Sequence, residues 1–255
     1  MSAPKLTVLV LAGQRAGGDG LAKAFAVPHK MALPMAGRPM GEWVVDALRG
    51  CPAVGRILVA ADWRSLEGLA RDNLVPVAAC STIGETVEAV LDGVQLPLLI
   101  TTIDHPLLTP AMIEEFLGKV PADCDCAVAV ARDETVQRAY PESKRTYLRF
   151  RRAHVTGCNL FLLAGPSARK VVRFWTHMDS HRKDPGAMVR ALGWGSLLLW
   201  SLGLLTLDGA ARRLSRRVGA RLAVVEMTSP EAAIDVDKPE DVRLAEKILA
   251  YRAKG

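Results

Sequence analysis

Four glycines fall within eight residues, Gly13, Gly17, Gly18 and Gly20, at the end of LVLAGQRAGGDG (9–20), and Arg15 stands among them. A stretch with so little side chain lets backbone N–H groups approach a ligand closely, which a cluster of phosphate oxygens requires. Ten residues on comes Pro28-His29-Lys30. The ammonium of Lys30 and the guanidinium of Arg15 would supply fixed positive charge where a phosphate leaving group develops. Asp104, in ITTIDHPLLTP, follows an apolar run and precedes proline. A carboxylate buried at a strand end is costly, so a cation is its natural companion. Together these residues would suit phosphate chemistry, and a plain turn with a chance lysine is the alternative.

Short apolar runs separated by helical spacing must carry them. LTVLVLA (6–12), RILVAA (56–61), LVPVAA (74–79), PLLITT (97–102) and CAVAVA (126–131) read as buried strands. Residues 40–49, 63–72, 84–93 and 110–119 have helical spacing, and Thr109-Pro110 is an N-cap with proline at the first helical position. This alternation predicts an α/β fold: a mostly parallel central sheet with helices on both faces. Ligands bind at the carboxyl ends of such strands, where both the glycine burst and Asp104 lie. After residue 140, RTYLRF (145–150) and GCNLFLL (157–163) read as strands and 166–180 as a helix. LAVVEM (222–227) and a final helix to about Tyr251 restore the earlier pattern. The reading is one domain over 1–255, with a basic, hydrophobic helical insertion at about 140–221.

Two common phosphate motifs do not fit the glycine stretch. A P-loop needs Gly-Lys-Ser/Thr opening a helix, and none is present. A dinucleotide fingerprint needs G-x-G-x-x-G, whereas the spacing here differs and Asp19 would sit against a pyrophosphate. The longer string LAGQRAGGDGLAKAFAVPHKMALPMAGRPM (11–40) resembles the signature of nucleotidyltransferases with a glycosyltransferase-A-like fold, LAGG-x-G-x-R … P-K-x-L-x-P-x-x-G-x-P. Within them it is most similar to the molybdenum-cofactor guanylyltransferase-like (MobA-like) group. Gln14 replaces the second glycine, His29 separates proline from Lys30, and Arg15 comes early.

The resemblance implies roles for particular residues. Leu11, Ala12, Gly13, Gly17 and Gly18 would line the nucleotide with Lys30. CSTIGETVEAVLDGV (80–94) resembles the loop and helix that hold the base, with Ser81 and Thr82 at its start. Asp104 matches the magnesium-binding aspartate of the family's D-x-P motif. AIDVDKPEDVRLAEKIL (233–249) resembles the closing I-D-T-P-E-D-L … A, which makes Asp237 the second Mg2+ ligand and Asp235 its understudy. Asp241 falls in a helix's first turn, where the dipole favours it. Asn159 stands where the family often contacts substrate.

The net charge is +6, unevenly spread: residues 132–221 hold 18 Lys/Arg against 6 Asp/Glu. That points to an anionic partner, nucleic acid or an anionic membrane surface. YPESKRTYLRFRR (140–152) gathers Lys144, Arg145, Arg149, Arg151 and Arg152, which suit a phosphorylated acceptor or a solvated strand edge. ALGWGSLLLWSLGLLTL (191–207) carries no charge and precedes Arg212, Arg213, Arg216 and Arg217. A buried core helix and an interfacial segment with tryptophan and arginine anchors are both open for it. The five cysteines are odd in number and scattered, as in reduced thiols of a cytosolic protein, and Cys124-x-Cys126 without a second pair makes a poor zinc site. His177-x-x-x-His181 has helical spacing but no neighbouring acid.

The expectation is therefore a cytoplasmic Mg2+-dependent nucleotidyltransferase, with residues 191–217 open either as a segment peripheral to the inner face of the membrane or as part of the core. It would join an NTP, GTP or CTP by the resemblance, to a phosphorylated small molecule or lipid precursor, with no nucleic-acid partner. Lys30, Arg15 and Asp104 would carry catalysis, and Lys144, Arg145 and Asn159 would meet the acceptor. A nucleotide-sugar glycosyltransferase on this fold would use a mid-chain Asp-x-Asp, but His105 and Pro106 follow Asp104. A non-catalytic nucleotide-binding membrane adaptor would fit Gln14.

Overall fold

A computed structural model describes residues 5–13, 18–61, 74–180 and 193–253. Strand β1 (Leu6–Leu11) is followed by helix α1 (Gly20–Ala24), the short antiparallel pair β2 (Pro34–Met35) and β3 (Arg38–Pro39), and α2 (Met40–Gly50). Next come β4 (Val54–Ala60), β5 (Leu74–Val77), α3 (Ile83–Leu91), β6 (Leu98–Thr102) and α4 (Pro110–Lys119). The expected helix over 63–72 lies outside the described residues. Thr109 caps α4 as its sequence predicts, its hydroxyl accepting the Met112 N–H at 3.2 Å, with proline in the first turn.

The strands join in the order β10-β7-β9-β6-β1-β4-β5, where β7 is Cys126–Arg132, β9 is Ala153–Leu163 and β10 is Leu222–Glu226. β8 (Leu148–Phe150) adds to the edge of β9. The pairs β1–β4, β1–β6, β4–β5 and β7–β10 are parallel. Alternation along the strands builds the two faces. Val8, Val10, Ile57, Val59 and Leu99 pack with Val44, Leu48, Ile113 and Phe116 of α2 and α4. Leu9, Leu58 and Ile100 face the other way, onto Val87 and Leu91 of α3 and Val172 of α6 (Ala168–Ser180).

Two expectations about the middle of the chain need correcting. The stretch taken as an insertion at about 140–221 contributes β9, which runs antiparallel between β6 and β7 near the centre of the sheet. A helix that the sequence reading omitted, α5 (Asp133–Ala139), precedes it. The uncharged run 191–207 is not one helix either: α7 (Trp194–Ser201) ends in a turn, and α8 (Leu207–Val218) begins a separate helix. No residue of α7 is buried, so the core-helix alternative fails for it. Among the described residues no helix is long and apolar enough to cross a membrane. All five cysteines are free thiols. The Cys124 thiol donates to the Cys126 carbonyl at 2.9 Å, and burial pushes the Cys126 thiol up to about 12. Neither thiol is set up as a metal ligand, and His181 lies outside the described residues.

The final helix, α9 (Pro239–Arg252), completes a third apolar cluster. Its Val242, Ala245, Ile248 and Leu249 pack with Leu33, Met35 and Met40, with Leu107, and with Ile234 and Val236. This cluster brings together the turn after Lys30, the segment after Asp104 and the segment carrying Asp235 and Asp237.

Candidate active site

β6 ends at Thr102, and the chain turns through Asp104 at the carboxyl edge of the sheet. There the Asp104 carbonyl accepts the Val236 N–H at 2.8 Å, docking the 234–238 segment alongside. Ile234 and Val236 are buried, so the residues alternating with them, Asp235 and Asp237, turn toward the site. Lys30 opens a 3-10 turn (Lys30–Ala32) directly below. Its ammonium donates to Asp104 Oδ2 at 2.9 Å and to Asp237 Oδ1 at 2.6 Å, and its side chain is only 9% exposed. Burial opposes the charge on Lys30, but the two carboxylates outweigh burial and hold its pKa above the ordinary lysine value.

His29 decides where Lys30 sits. One ring nitrogen, Nε2, lies 2.8 Å from the Ala12 carbonyl, and Nδ1 accepts the Met31 N–H at 3.1 Å. The ring therefore donates through Nε2 and is the neutral tautomer in this arrangement. It joins the mouth of the glycine loop to the lysine turn. The sequence showed this residue only as an intruder between proline and lysine; a histidine directly before the candidate lysine was the available signal.

The glycine loop is described at its two ends. The Ala12 N–H is spent on the Ala60 carbonyl at 3.0 Å and the Leu11 carbonyl on the Ile103 N–H at 3.0 Å. With its carbonyl held by His29, Ala12 has both backbone groups engaged, and Gly13 is the first residue beyond the ladder. A Cβ on Gly13 would lie 3.3 Å from the Ala79 Cβ, so this loop runs against the exit of β5. Gly18 has φ +81°, a conformation that L side chains rarely adopt. Asp19 caps α1, accepting the N–H groups of Leu21 and Ala22 at 2.8 and 3.0 Å. Its carboxylate takes the helix N-terminus that a dinucleotide fingerprint would offer to pyrophosphate. Arg15 and Gly17 lie outside the described residues. Ser81 is exposed, and Thr82 caps α3 in a reciprocal box with Glu85, both bonds being 3.1 Å.

On the opposite wall, β9 bulges. Its register with β7 passes from Phe161 opposite Val128 to Gly157 opposite Val130. At the bulge Asn159 adopts φ +50°, and its amide donates to Asp235 Oδ2 at 3.1 Å. Asp235 also accepts from the Arg145 guanidinium at Oδ1 and, through its carbonyl, at 2.9 Å. Arg145 reaches Asp241 as well, at 2.8 Å. Asp241 in turn accepts the N–H groups of Asp237 and Lys238 at 3.1 and 3.0 Å, in the first turn of α9. Burial holds the Asp235 carboxyl above its ordinary value against the pull of Arg145, with Asp237 and Asp104 adding to the rise. Lys144, next to Arg145, is exposed. The aspartate pair thus divides: Asp237 meets Lys30, and Asp235 meets Arg145 and Asn159.

Arg145 is 8% exposed and Asp241 11%, so breaking their contact leaves charge stranded. Arg145→Met should lower unfolding stability by about 3 kcal/mol, the low end for a buried pair that loses one partner. An unchanged urea midpoint would show that the cluster contributes no stability.

The donor set fits a divalent cation at one atom in particular. Asp104 Oδ1 is buried and has no hydrogen-bond partner, while Oδ2 is the atom that Lys30 holds. An unsatisfied buried carboxylate oxygen at a strand end suits a cation ligand. Among the described residues no group of three or more His, Cys, Asp or Glu is placed to hold a metal. Two carboxylates are nonetheless what magnesium usually takes from a protein, the remainder coming from water and substrate phosphates. Adjacent His105 is fully buried, and burial lowers its pKa to about 4, so it stays neutral beside Asp104.

Residues 8–223 match the family model of the MobA-like NTP transferase domain. No curated protein matches the chain. Among solved structures, a hypothetical transferase from Thermus thermophilus shares 30% identity, with a TM-score of 0.83 over 94% of this chain and 100% of that one. A CMP:2-keto-3-deoxy-manno-octonic acid synthetase complexed with CTP superimposes with a TM-score of 0.58 at 15% identity, covering 98% and 100% of the two chains. A 2-C-methyl-D-erythritol 4-phosphate cytidylyltransferase, also from Thermus thermophilus, gives 0.53 at 16% identity, over 97% and 100%. At those identities the last two show a shared fold. With a glycine loop, a buried lysine and paired aspartates at the carboxyl edge of its sheet, and with the family model spanning most of its length, the chain belongs to the MobA-like NTP transferase family and is a nucleotidyltransferase.

Proposed function

We propose that the protein transfers a nucleoside monophosphate from an NTP to a phosphorylated acceptor and releases pyrophosphate. An acceptor phosphate oxygen forms the new bond to the α-phosphorus, and the bond from that phosphorus to the bridging β-phosphate oxygen breaks. A phosphomonoester is already largely ionised at neutral pH, its second pKa being about 6, so no dedicated base is required. What remains is positioning and charge neutralisation. The observation that carries this reading is the Lys30 ammonium held between Asp104 and Asp237 at the sheet edge.

In this reading Asp104 and Asp237 would hold Mg2+, which would supply charge neutralisation on the phosphates. Lys30 holds Asp104 by Oδ2 and Asp237 by Oδ1, so its ammonium stands beside the partnerless Asp104 Oδ1 and would be within the same cluster of charge as the phosphates. The loop from Leu11 to Gly18 cradles the nucleotide phosphates with Arg15, and Ser81 and Thr82 border the base. Asn159 and Lys144 face the acceptor side, and Arg145 acts through Asp235. The CTP bound to one structural neighbour and the cytidylyl transfer in the name of another favour CTP, and the resemblance to guanylyltransferases favours GTP. Five free thiols suit a reducing cytoplasm.

The test is a screen of the four NTPs against phosphorylated acceptors, both soluble sugar or polyol phosphates and lipid precursors, with pyrophosphate as readout. CTP or GTP should release pyrophosphate only when an acceptor and Mg2+ are both present, and EDTA should abolish it. Turnover of a nucleotide sugar with release of nucleoside diphosphate, and none of pyrophosphate, would replace this reading with glycosyl transfer.

A further inference from the structure

The hairpin formed by α7 and α8 carries the most exposed apolar surface of the described residues. Trp194 is 77% exposed, Leu198 and Leu202 60%, Leu204 48% and Trp200 47%. α7 is mostly apolar, and although Leu197 and Leu199 are half-buried none of its residues is fully buried, which leaves an apolar face that a helix in water does not sustain without a partner. α8 supplies Arg212, Arg213, Arg216 and Arg217, with Asp208 as the acid of its first turn. The two features meet in space. A Cβ on Gly195 would lie 3.8 Å from Arg213 Nη1, and one on Gly193 would lie 3.6 Å from Arg217 Nη1. Two guanidinium groups therefore stand beside the turn that carries Trp194.

The body of the protein holds this hairpin by its base. Leu205 is buried and its carbonyl accepts the Arg151 N–H at 2.8 Å. Ser215 Oγ accepts the Leu222 N–H at 3.0 Å, and Lys170 donates to the Gly219 carbonyl at 3.2 Å. α8 is thus fastened to β10 and α6, while α7 projects.

From this geometry we infer that α7 and α8 dock the protein on an anionic lipid surface. α7 lies in the headgroup and acyl boundary with Arg213 and Arg217 beside it, while Arg212 and Arg216, which line the neighbouring cleft with Asp123 and Arg221, add to the positive field of the same end of the protein. Eight residues of helix rise about 12 Å, too short to span a bilayer but suited to lie in its surface. Charge selects lipid over a second copy of this chain. A two-fold contact through this patch would double its arginines with Asp208 as the acid of the hairpin to offset them, whereas anionic headgroups supply the opposite charge. The inference stands apart from the reading of the nucleotide site, because its readouts need no catalysis.

The test is sedimentation with vesicles of phosphatidylcholine alone, or mixed with phosphatidylglycerol. The wild type should pellet with the anionic vesicles, weakly with neutral ones, and less as salt shortens the screening length below about 8 Å. Replacing Arg212, Arg213, Arg216 and Arg217 with glutamine should weaken binding by about 10²-fold or more, each cation near such a surface contributing roughly fivefold. Leu198→Asp with Trp200→Ser should also weaken it, with an unchanged melting temperature because both side chains are exposed. Quenching of wild-type tryptophan fluorescence by brominated phosphatidylglycerol provides a reading that needs no variant. Absence of pelleting and of quenching at low salt overturns the inference. So does a dimer in sedimentation equilibrium that Trp200→Ser dissociates, or a large loss of melting temperature in that variant.

Discussion

Lys30→Ala should cut turnover by about 10²–10³-fold while the protein stays folded, the usual loss when one preorganised charge-stabilising donor is removed. Its position makes a second outcome testable without any acceptor. In the wild type the ammonium occupies the space between Asp104 and Asp237, at 2.9 and 2.6 Å. With that charge gone, the two carboxylates face each other uncompensated and should attract another cation more strongly. Mn2+ binding to the nucleotide-free protein, followed by the paramagnetic signal of the free ion, should therefore tighten in Lys30→Ala. Lys30→Arg is a poor rescue, since a planar fork does not replace a compact ammonium in a buried site. Turnover within a few-fold of the wild type would remove Lys30 from the reacting centre. Weaker Mn2+ binding in Lys30→Ala would show that the lysine and the metal do not compete for these carboxylates.

The other large effect should come from the aspartates, and it should be unequal. Outer-shell substitutions at metal sites cost about 10–100-fold in affinity, so loss of a charged ligand should reach at least the upper end. Asp104→Asn is expected to raise the magnesium concentration for half-maximal rate by about 100-fold, on the same scale. Asp104 is the less exposed of the two, at 21% against 59% for Asp237, and it carries the buried oxygen without a partner. Asp237→Asn should therefore shift the curve in the same direction by less, because water can reach and replace an exposed ligand. Magnesium titrations that coincide for wild type and both variants would place the metal elsewhere. A shift confined to Asp235→Asn would move it to the understudy, which here is engaged by Arg145 and Asn159.

Much of the catalytic edge is readable in local pattern. Residues 6–12 are apolar, rich in leucine and valine, and stop at glycine, and that alone sets a buried strand with a close-approach loop at its carboxyl end. Thr109-Pro110 places the start of α4, and alternation in Ile234-Asp235-Val236-Asp237 puts both aspartates on one side. Local pattern does not carry strand direction. GCNLFLL reads as a strand either way, and only pairing with both β6 and β7 makes β9 antiparallel and central. The alternation is the same for both directions, since side chains alternate with period two whichever way a neighbour runs.

Residue types and their spacing showed which groups were available for chemistry: a glycine-rich loop, a lysine, acids, and a basic, apolar stretch in the second half. Which of these groups meet came from packing. Lys30 reaches Asp104 and Asp237 across separations of 74 and 207 residues, and Arg145 reaches Asp235 across 90. Packing also left α7 outside the core, although its composition is that of a core helix. Helix and strand periods repeat over two to four residues and so report only which face of an element is apolar. Which charged group stands opposite another depends on how the packed layers align, and that is settled when the apolar cluster under α9 closes the chain's two ends onto the edge of one sheet.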